Sequence, residues 1–209
     1  MMPNPLHKLA DLADIRAGFL TREAVRNNPA GTYCLLQIRD IDRHRETVNM
    51  TDMIRISPET RSSLHPLQAG DVIFLAKGAN NFAFAVPELP SPTLAASSFF
   101  ILRPGSLILA RYLVWFLNHE STRLLLSRLA TTGAHMPIIR RDTLESLEIP
   151  LPPLAVQKTI AELDILRIQE HILLSDLAEK KEALISTLSL STVRRSIGNA
   201  TPKEGTAHE

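Results

Sequence analysis

The chain has a single cysteine, Cys34, among its 209 residues. One cysteine excludes a disulfide framework and a cysteine-based zinc site within the chain, and its place in the apolar run 33–36 favours a small core residue over a nucleophile. The first residues lack the apolar segment of a signal peptide. The longest apolar stretch, around 107–117, is interrupted by Arg111 and is too short to span a bilayer. A reducing, cytoplasmic setting without a membrane is therefore the expectation.

Motifs of the common enzyme classes are also missing. There is no Walker loop, no GxGxxG segment after a strand, no HExxH and no GxSxG. The seven histidines are scattered, and His44 and His135 have no partners at metal-ligand spacing. Asp40 and Asp42 are compatible with the carboxylate pair of a metal nuclease, although adjacent carboxylates are also common in loops. The sequence predicts a chain without catalytic activity, metal or cofactor of its own, with a nuclease as the outlying alternative.

Lysine is scarce in the first third of the chain, where Lys8 stands against eight arginines. The planar guanidinium group suits phosphates and base edges better than the ammonium group of lysine does. Arginines on an ordinary solvated surface would give the same composition. The formal net charge of +1 does not separate these two interpretations.

Residues 1–151 have the pattern of a mixed α/β domain with many short strands and small helices. Strands are predicted within 33–41, 50–56, 72–77, 82–86, 99–102 and 148–151. One helix is predicted over 107–129, where Tyr112, Trp115, Phe116, Leu124 and Leu125 form an apolar face. A shorter helix is predicted to begin at Asp142 or Thr143.

A proline-rich junction and a long helix follow over residues 152–190. Prolines at 150, 152 and 153 give a stiff extended segment, and no glycine or proline interrupts 154–190. The broad apolar surface of this helix requires burial against another helix, and the candidate interface residues are Ile160, Leu163, Leu177 and Leu184. Packing against the chain's own domain is the alternative. Residues 191–209 are predicted to be a disordered tail.

Four segments, in this order, resemble the specificity subunit of type I restriction–modification systems, in a half-length form with one target-recognition domain. Segment 9–19 is similar to the family's "L-x-D-(V/L)-A-x-I-x-x-G-(F/Y)", and 67–74 to its "L-x-x-G-D-(I/V)-(L/V)" strand. Segment 132–139 lies where the family has a "G-(S/A/T)-x-x-x-x-(I/L)" loop. Segment 147–161 resembles the "L-x-I-P-(L/V)-P-P-L-x-x-Q-x-x-I-A" junction.

The resemblance implies a non-catalytic DNA-recognition subunit that places a methyltransferase subunit, and in some systems a restriction motor subunit, on a split DNA site. S-adenosylmethionine, the donor for adenine N6 methylation, would be bound by the methyltransferase and not by this chain. Full-length members have two recognition domains separated by antiparallel helices, whereas this chain has one domain and one helix. A homodimer with antiparallel helices would restore two recognition domains.

Four groups of residues are candidate contacts to double-stranded DNA, because their side chains donate hydrogen bonds or their backbone leaves room for a phosphate. They are Arg39, Arg43, His44 and Arg45 after a predicted strand, Lys77, Asn80 and Asn81 after the next long strand, Thr132, Gly133 and His135 in a loop, and Arg140 and Arg141 beyond it. A solvated loop, a plain turn, a chain reversal and surface charge are the respective alternatives. A degenerate or regulatory half-subunit that does not read DNA, and a fragment of a longer subunit, are the competing functional interpretations.

Overall fold

The computed structural model describes residues 5–20, 26–58, 64–131 and 136–198, with side chains up to residue 195. The chain forms two compact units, Met1–Ile165 and Leu166–Glu209. The strands are β1 (Leu6–Lys8), β2 (Ala13–Ala17), β3 (Tyr33–Leu36), β4 (Ile41–Asp42), β5 (Thr47–Val48), β6 (Ile54–Ile56), β7 (Val72–Leu75), β8 (Ala83–Ala85), β9 (Thr93–Ala95), β10 (Phe99–Pro104) and β11 (Glu148–Pro150). The helices are α1 (Leu9–Leu12), α2 (Ala110–Asn118), α3 (Glu120–Leu129), α4 (Arg141–Glu145) and α5 (Leu154–Gly198), and Ile38–Asp40 forms a 3₁₀ turn. The predicted mixed α/β class with a long C-terminal helix is confirmed.

The first unit is built around a four-stranded antiparallel sheet in the order β2-β10-β7-β8. Strand β7 is buried along its whole length, and its side chains enter two different hydrophobic clusters. Val72 and Phe74 join the cluster that contains helix α2, whereas Ile73 and Leu75 join the cluster that contains part of β3. Because successive side chains of a strand face opposite sides of a sheet, β7 has core on both faces. Burial on both faces explains why the sequence of β7 is continuously apolar and does not alternate between apolar and polar residues.

The turn before β7 is held by an ion pair whose carboxylate is buried. Gly70 adopts a positive φ of 86°, a conformation that favours glycine. Arg103 donates from Nε and Nη2 to the two carboxylate oxygens of Asp71 at 2.7 and 2.8 Å, and the Asp71 side chain is 2% exposed. The two parallel hydrogen bonds fix the start of β7 against the end of β10.

A second sheet, β6-β3-β9, contributes to the same core. Its β3 strand supplies Cys34 and Leu36 to the cluster around Ile73, which agrees with a core role for the single cysteine. Gly18 lies where the two sheets meet, and a Cβ atom at this position would come within 2.2 Å of the carbonyl oxygen of Ala96. A side chain there would push the two sheets apart.

The predicted single helix over 107–129 is wrong, since the structure has two helices separated at His119. His119 has an extended backbone (φ −61°, ψ 139°), and its ring accepts a hydrogen bond from the backbone N–H of Ser121 at the start of α3. The break changes which residues of α3 face the core. Leu126 is fully buried, whereas Leu124 and Leu125, expected on the apolar face, are exposed.

The first turns of α5 belong to the first unit, Met1–Ile165. The Gln157 side chain is completely buried; Nε2 donates to the carbonyl oxygens of Leu107 and Pro152 at 3.0 and 2.9 Å, and Oε1 accepts from the Leu109 N–H at 2.9 Å. Ile160 packs against the core of the domain. Packing on the chain's own domain was the alternative for Ile160, and its role in a helix–helix interface stays a prediction.

The second unit consists of the remainder of α5, which continues to Gly198. The helix continues past residue 190, where the sequence predicted its end. No glycine or proline occurs between residue 190 and Gly198 to interrupt it. Its large apolar side chains are exposed, among them Leu166, Leu173, Leu177, Leu184 and Leu188. Residues 199–209 of the predicted tail lie outside the described residues.

Candidate DNA interface

The loop of the β4–β5 hairpin carries three of the predicted DNA contacts, Arg43, His44 and Arg45. The carboxylate oxygen Oδ1 of Asp42 accepts the backbone N–H groups of His44 and Arg45 at 2.9 and 3.0 Å. Glu46 has a positive φ of 47°, and its carboxylate pairs with Arg111 of helix α2. These contacts close the loop at both ends, so the side chains at its tip are exposed on a fixed backbone.

The turn before this hairpin is anchored by Asp40. Its buried carboxylate accepts the backbone N–H of Gln37 at 2.8 Å, and the Asn49 N–H donates to its carbonyl oxygen at 2.7 Å. Burial raises the pKa of Asp40, against the opposing effects of the Gln37 hydrogen bond and of Arg39. Arg39 is exposed and its Nε lies 3.7 Å from the Asp40 carboxylate. The carboxylates of Asp40 and Asp42 therefore shape the turn and the loop, which gives both residues a structural role.

Arg43 is placed over an aromatic ring and beside a second arginine. Its guanidinium carbon lies 4.4 Å from the ring centroid of Phe82, a cation–π geometry. Burial of the guanidinium and the charge of Arg123 on helix α3 both lower the pKa of Arg43. Arginine stays protonated even so. Two guanidinium groups whose charges act on each other favour an anionic ligand such as a phosphate.

The second predicted segment is the connection between β7 and β8. It ends at Phe82, whose ring lies under Arg43, so this connection adjoins the β4–β5 hairpin. Lys77 forms a bridge with Ile138, and the Gly78 N–H donates to the carbonyl oxygen of Pro137 at 2.9 Å. Ile138 also forms a bridge with Thr131. The structure thus brings Lys77 to the two ends of the predicted loop. Its residues Thr132, Gly133 and His135 lie outside the described residues.

Asn80 and Asn81 have different surroundings. Asn80 is exposed, as a base or phosphate contact requires. Asn81 is buried at 7% exposure, and its Nδ2 donates to the carbonyl oxygen of Leu75 at 2.8 Å. The prediction of Asn81 as a DNA contact is therefore corrected, since this amide closes the turn after β7.

Arg140 and Arg141 begin helix α4 and face different partners. Arg140 is exposed and lies 3.5 Å from the Asp142 carboxylate, whereas Arg141 donates to Glu145 at 2.7 Å. Arg141 also borders a cavity of about 410 Å³ together with Arg16 and His65. The Nη1 of Arg16 lies 3.2 Å from Nδ1 of His65.

Sequence reasoning did not single out four of these residues: Phe82, Arg123, Arg16 and His65. Arg16 lies within the opening motif and among the arginines of the first third, so a signal for it was present. The Phe82 ring lies under Arg43, and the charge of Arg123 acts on it, only because α3 and the segment before β8 pack there, and no local pattern marks either residue. In the part of the chain that the structure describes, no group of three histidine, cysteine, aspartate or glutamate side chains is placed to hold a metal ion.

Comparison with known proteins identifies a family and supports the fold described above. The family model for the type I restriction modification DNA specificity domain matches residues 6–182. The chain belongs to this family. A specificity domain is the recognition component of such a system, which confirms the prediction of a non-catalytic chain. Comparison with curated protein sequences gives no match.

Two solved structures support the same fold for this specificity domain. One, concerned with complex assembly and conformational transition of the type I R-M system, has 18% identity and a TM-score of 0.66, covering 90% of this chain and 44% of that one. The HsdS subunit from Thermoanaerobacter tengcongensis has 19% identity and a TM-score of 0.56, with 82% and 39% covered. The chain spans less than half the length of either. Among the helices described here, none combines the length and apolar character needed to cross a membrane.

Proposed function

We propose that this specificity domain reads a DNA sequence and directs an adenine-N6 methyltransferase to it. The observation that carries the proposal is the convergence of two predicted cationic loops, with Arg43 stacked on Phe82 beside Arg123. DNA presents a dense row of phosphate charges, and arginine pairs neutralise them well. The aromatic support and the closed hairpin backbone restrict the guanidinium of Arg43 before DNA binds, which lowers the entropy cost of binding.

The two loops suit different parts of a DNA duplex. Arg43 and Arg123, on a hairpin tip and a helix, are assigned to phosphates, because paired guanidinium groups need a concentrated negative charge. Lys77 and Asn80 lie on the connection that follows β7, and their side chains can donate to base edges in the major groove. Phosphate contacts position the domain and base contacts select the sequence.

The exposed apolar side chains of α5 support a homodimer in which two helices bury each other. Such a dimer carries two recognition domains, and its two-fold symmetry matches a split palindromic site. In this proposal the methyltransferase subunit binds S-adenosylmethionine and this chain binds no cofactor. A restriction subunit joins in those systems that have one, and the assembly acts on cellular DNA in the cytoplasm.

The first test is co-expression with the methyltransferase subunit of the same genome, followed by mass determination and by sequencing of methylated bases. A complex with two copies of each chain and a new split methylated motif is the expected result. A dimer that adds no methylation and shows no salt-dependent DNA affinity would refute the targeting role and favour a regulatory half-subunit.

Variants of the arginine pair locate the DNA contact. Arg43→Ala and Arg123→Ala should each weaken binding by about tenfold and reduce the slope of log affinity against log salt by about 1. Arg128→Ala is the matched control, since five residues along an α-helix place it on a different face of α3 from Arg123. Equal effects of all three substitutions would show only a general loss of charge and would argue against this location.

A further inference from the structure

Helix α2 holds two separate parts of the candidate DNA interface through residues near its two ends. Arg111, in its first turn, pairs with the Glu46 carboxylate of the β4–β5 loop. Asn118, its last residue, donates from Nδ2 to the carbonyl oxygen of Ala83 at 2.9 Å and accepts the Ala83 N–H at Oδ1 at 2.8 Å. Arg111 and Asn118 lie two turns apart on one face of the helix. This face therefore contacts the hairpin loop at one end and the strand that follows Phe82 at the other.

The same contacts stabilise both partners of the cation–π pair. The Phe82 ring also packs edge-on against Phe99, with the ring centroids 6.4 Å apart and the planes at 84°. Arg43 precedes Glu46 in the same hairpin loop. Glu46 has a positive φ, which a residue with a side chain adopts only where its surroundings hold it. The ion pair with Arg111 therefore stabilises the shape of the loop that carries Arg43.

We propose that Glu46 is a positioning residue for DNA binding, whose ion pair with Arg111 keeps the Arg43 guanidinium where it can contact a phosphate. This inference rests on the proposed function, because it assumes that Arg43 contacts DNA, and it adds the residue that places it there. The Glu46 side chain is 15% exposed and the Arg111 side chain 40%. The pair is thus partly sheltered from water and salt, which makes it stronger than a fully exposed ion pair.

The negative charge of Glu46 makes the proposal testable by the direction of an effect. A carboxylate near DNA repels phosphates, so its direct electrostatic effect is to weaken binding. A carboxylate that positions an arginine strengthens binding instead, because an arginine already held in place loses less conformational freedom when DNA binds. Removal of the Glu46 charge separates these two roles. Replacement of Arg111 by a neutral residue does not, because it removes a cation together with the ion pair.

Glu46→Gln in the full-length chain is the direct test. Binding to a fluorescein-labelled, random-sequence DNA duplex of about 30 base pairs is followed by fluorescence anisotropy at several salt concentrations, since phosphate contacts do not depend on sequence. Affinity should fall by about threefold to tenfold, and the slope of log affinity against log salt should decrease by up to about 1. Glu120→Gln removes the same charge from the first turn of α3 and is the matched control, with unchanged or slightly tighter binding expected. Unchanged or tighter binding by Glu46→Gln would overturn the proposal.

A double-mutant cycle shows whether Glu46 acts through Arg43. Arg43→Ala/Glu46→Gln should bind no more weakly than Arg43→Ala, because the group to be positioned is already gone. Additive losses would overturn the proposal, since they would make the two residues independent. A loss for Arg43→Ala with none for Glu46→Gln would refute the positioning role and leave the proposed DNA contact standing. No loss for Arg43→Ala would refute that contact as well.

Exchange of the two charges separates positioning from a loss of folding. Glu46→Arg brings two arginines together and should weaken binding by at least about fivefold, despite its added positive charge. Glu46→Arg/Arg111→Glu can form the ion pair in the opposite sense and should bind within about threefold of the natural chain. Urea unfolding of each variant, followed by far-UV circular dichroism, establishes that the chain measured is folded. A folded exchange variant that binds as weakly as Glu46→Arg would overturn the proposal.

Discussion

Replacing Gln157 tests how the recognition domain is joined to the long helix. The amide makes three hydrogen bonds in a fully buried site, two as a donor and one as an acceptor. Gln157→Ala leaves the carbonyl oxygens of Leu107 and Pro152 and the N–H of Leu109 without these partners. At about 1 kcal/mol for each lost bond, the free energy of unfolding should fall by about 3 kcal/mol.

The assay is urea unfolding of the full-length chain, followed by far-UV circular dichroism. Lys158→Ala is the control, because this neighbouring side chain is 73% exposed and its ion pair with Glu162 is weak. The control should change the free energy of unfolding by less than about 0.5 kcal/mol. A loss below about 1 kcal/mol for Gln157→Ala would refute the reasoning, because it would mean that water satisfies the exposed groups as well as the amide does.

Gln157→Glu refines the same test. The new side chain has nearly the same shape, but a carboxylate cannot donate to the two carbonyl oxygens 3.0 and 2.9 Å from the amide nitrogen. The variant should therefore be less stable than the natural chain at neutral pH. Part of the loss should be recovered on acidification, because the protonated carboxyl group donates one hydrogen bond.

Three further tests address single positions in the fold. Gly18→Ala should lower the free energy of unfolding by more than about 2 kcal/mol in urea titration, because its Cβ would lie 2.2 Å from a backbone oxygen; a change near zero would contradict the close approach. Asn81→Ala should cost about 1–2 kcal/mol while Asn80→Ala costs less than about 0.5 kcal/mol, measured in the same way; equal losses would contradict the structural role of Asn81. Asp40→Asn should be stabilising at neutral pH, with a smaller difference in acid. A carboxyl group whose pKa is raised on folding favours the folded state at low pH and loses that contribution as the pH rises through the folded-state pKa. Unfolding midpoints at about pH 7 and about pH 4 would test this dependence, and a difference that grows in acid would contradict it.

The local patterns of the sequence determined much of the architecture. The Gly70-Asp71 turn and the apolar run after it predicted β7, because a positive φ and consecutive apolar residues are both local properties. The prolines of the junction and the absence of glycine and proline beyond it predicted the long helix α5. Four motifs, each weak by itself, indicated the specificity family through their order along the chain, and the family match over residues 6–182 confirms it.

Only the tertiary structure decided what the side chains of similar segments do. Asn80 and Asn81 are neighbours of the same residue type, yet one is exposed and the other closes a turn. Arg43 lies over Phe82, and its charge interacts with that of Arg123, because a hairpin, the segment before β8 and a helix pack together across long stretches of chain. Periodicity and composition report the properties of one segment at a time. Burial and long-range contacts depend on which segments pack together, and that is why they appear only once the chain is folded.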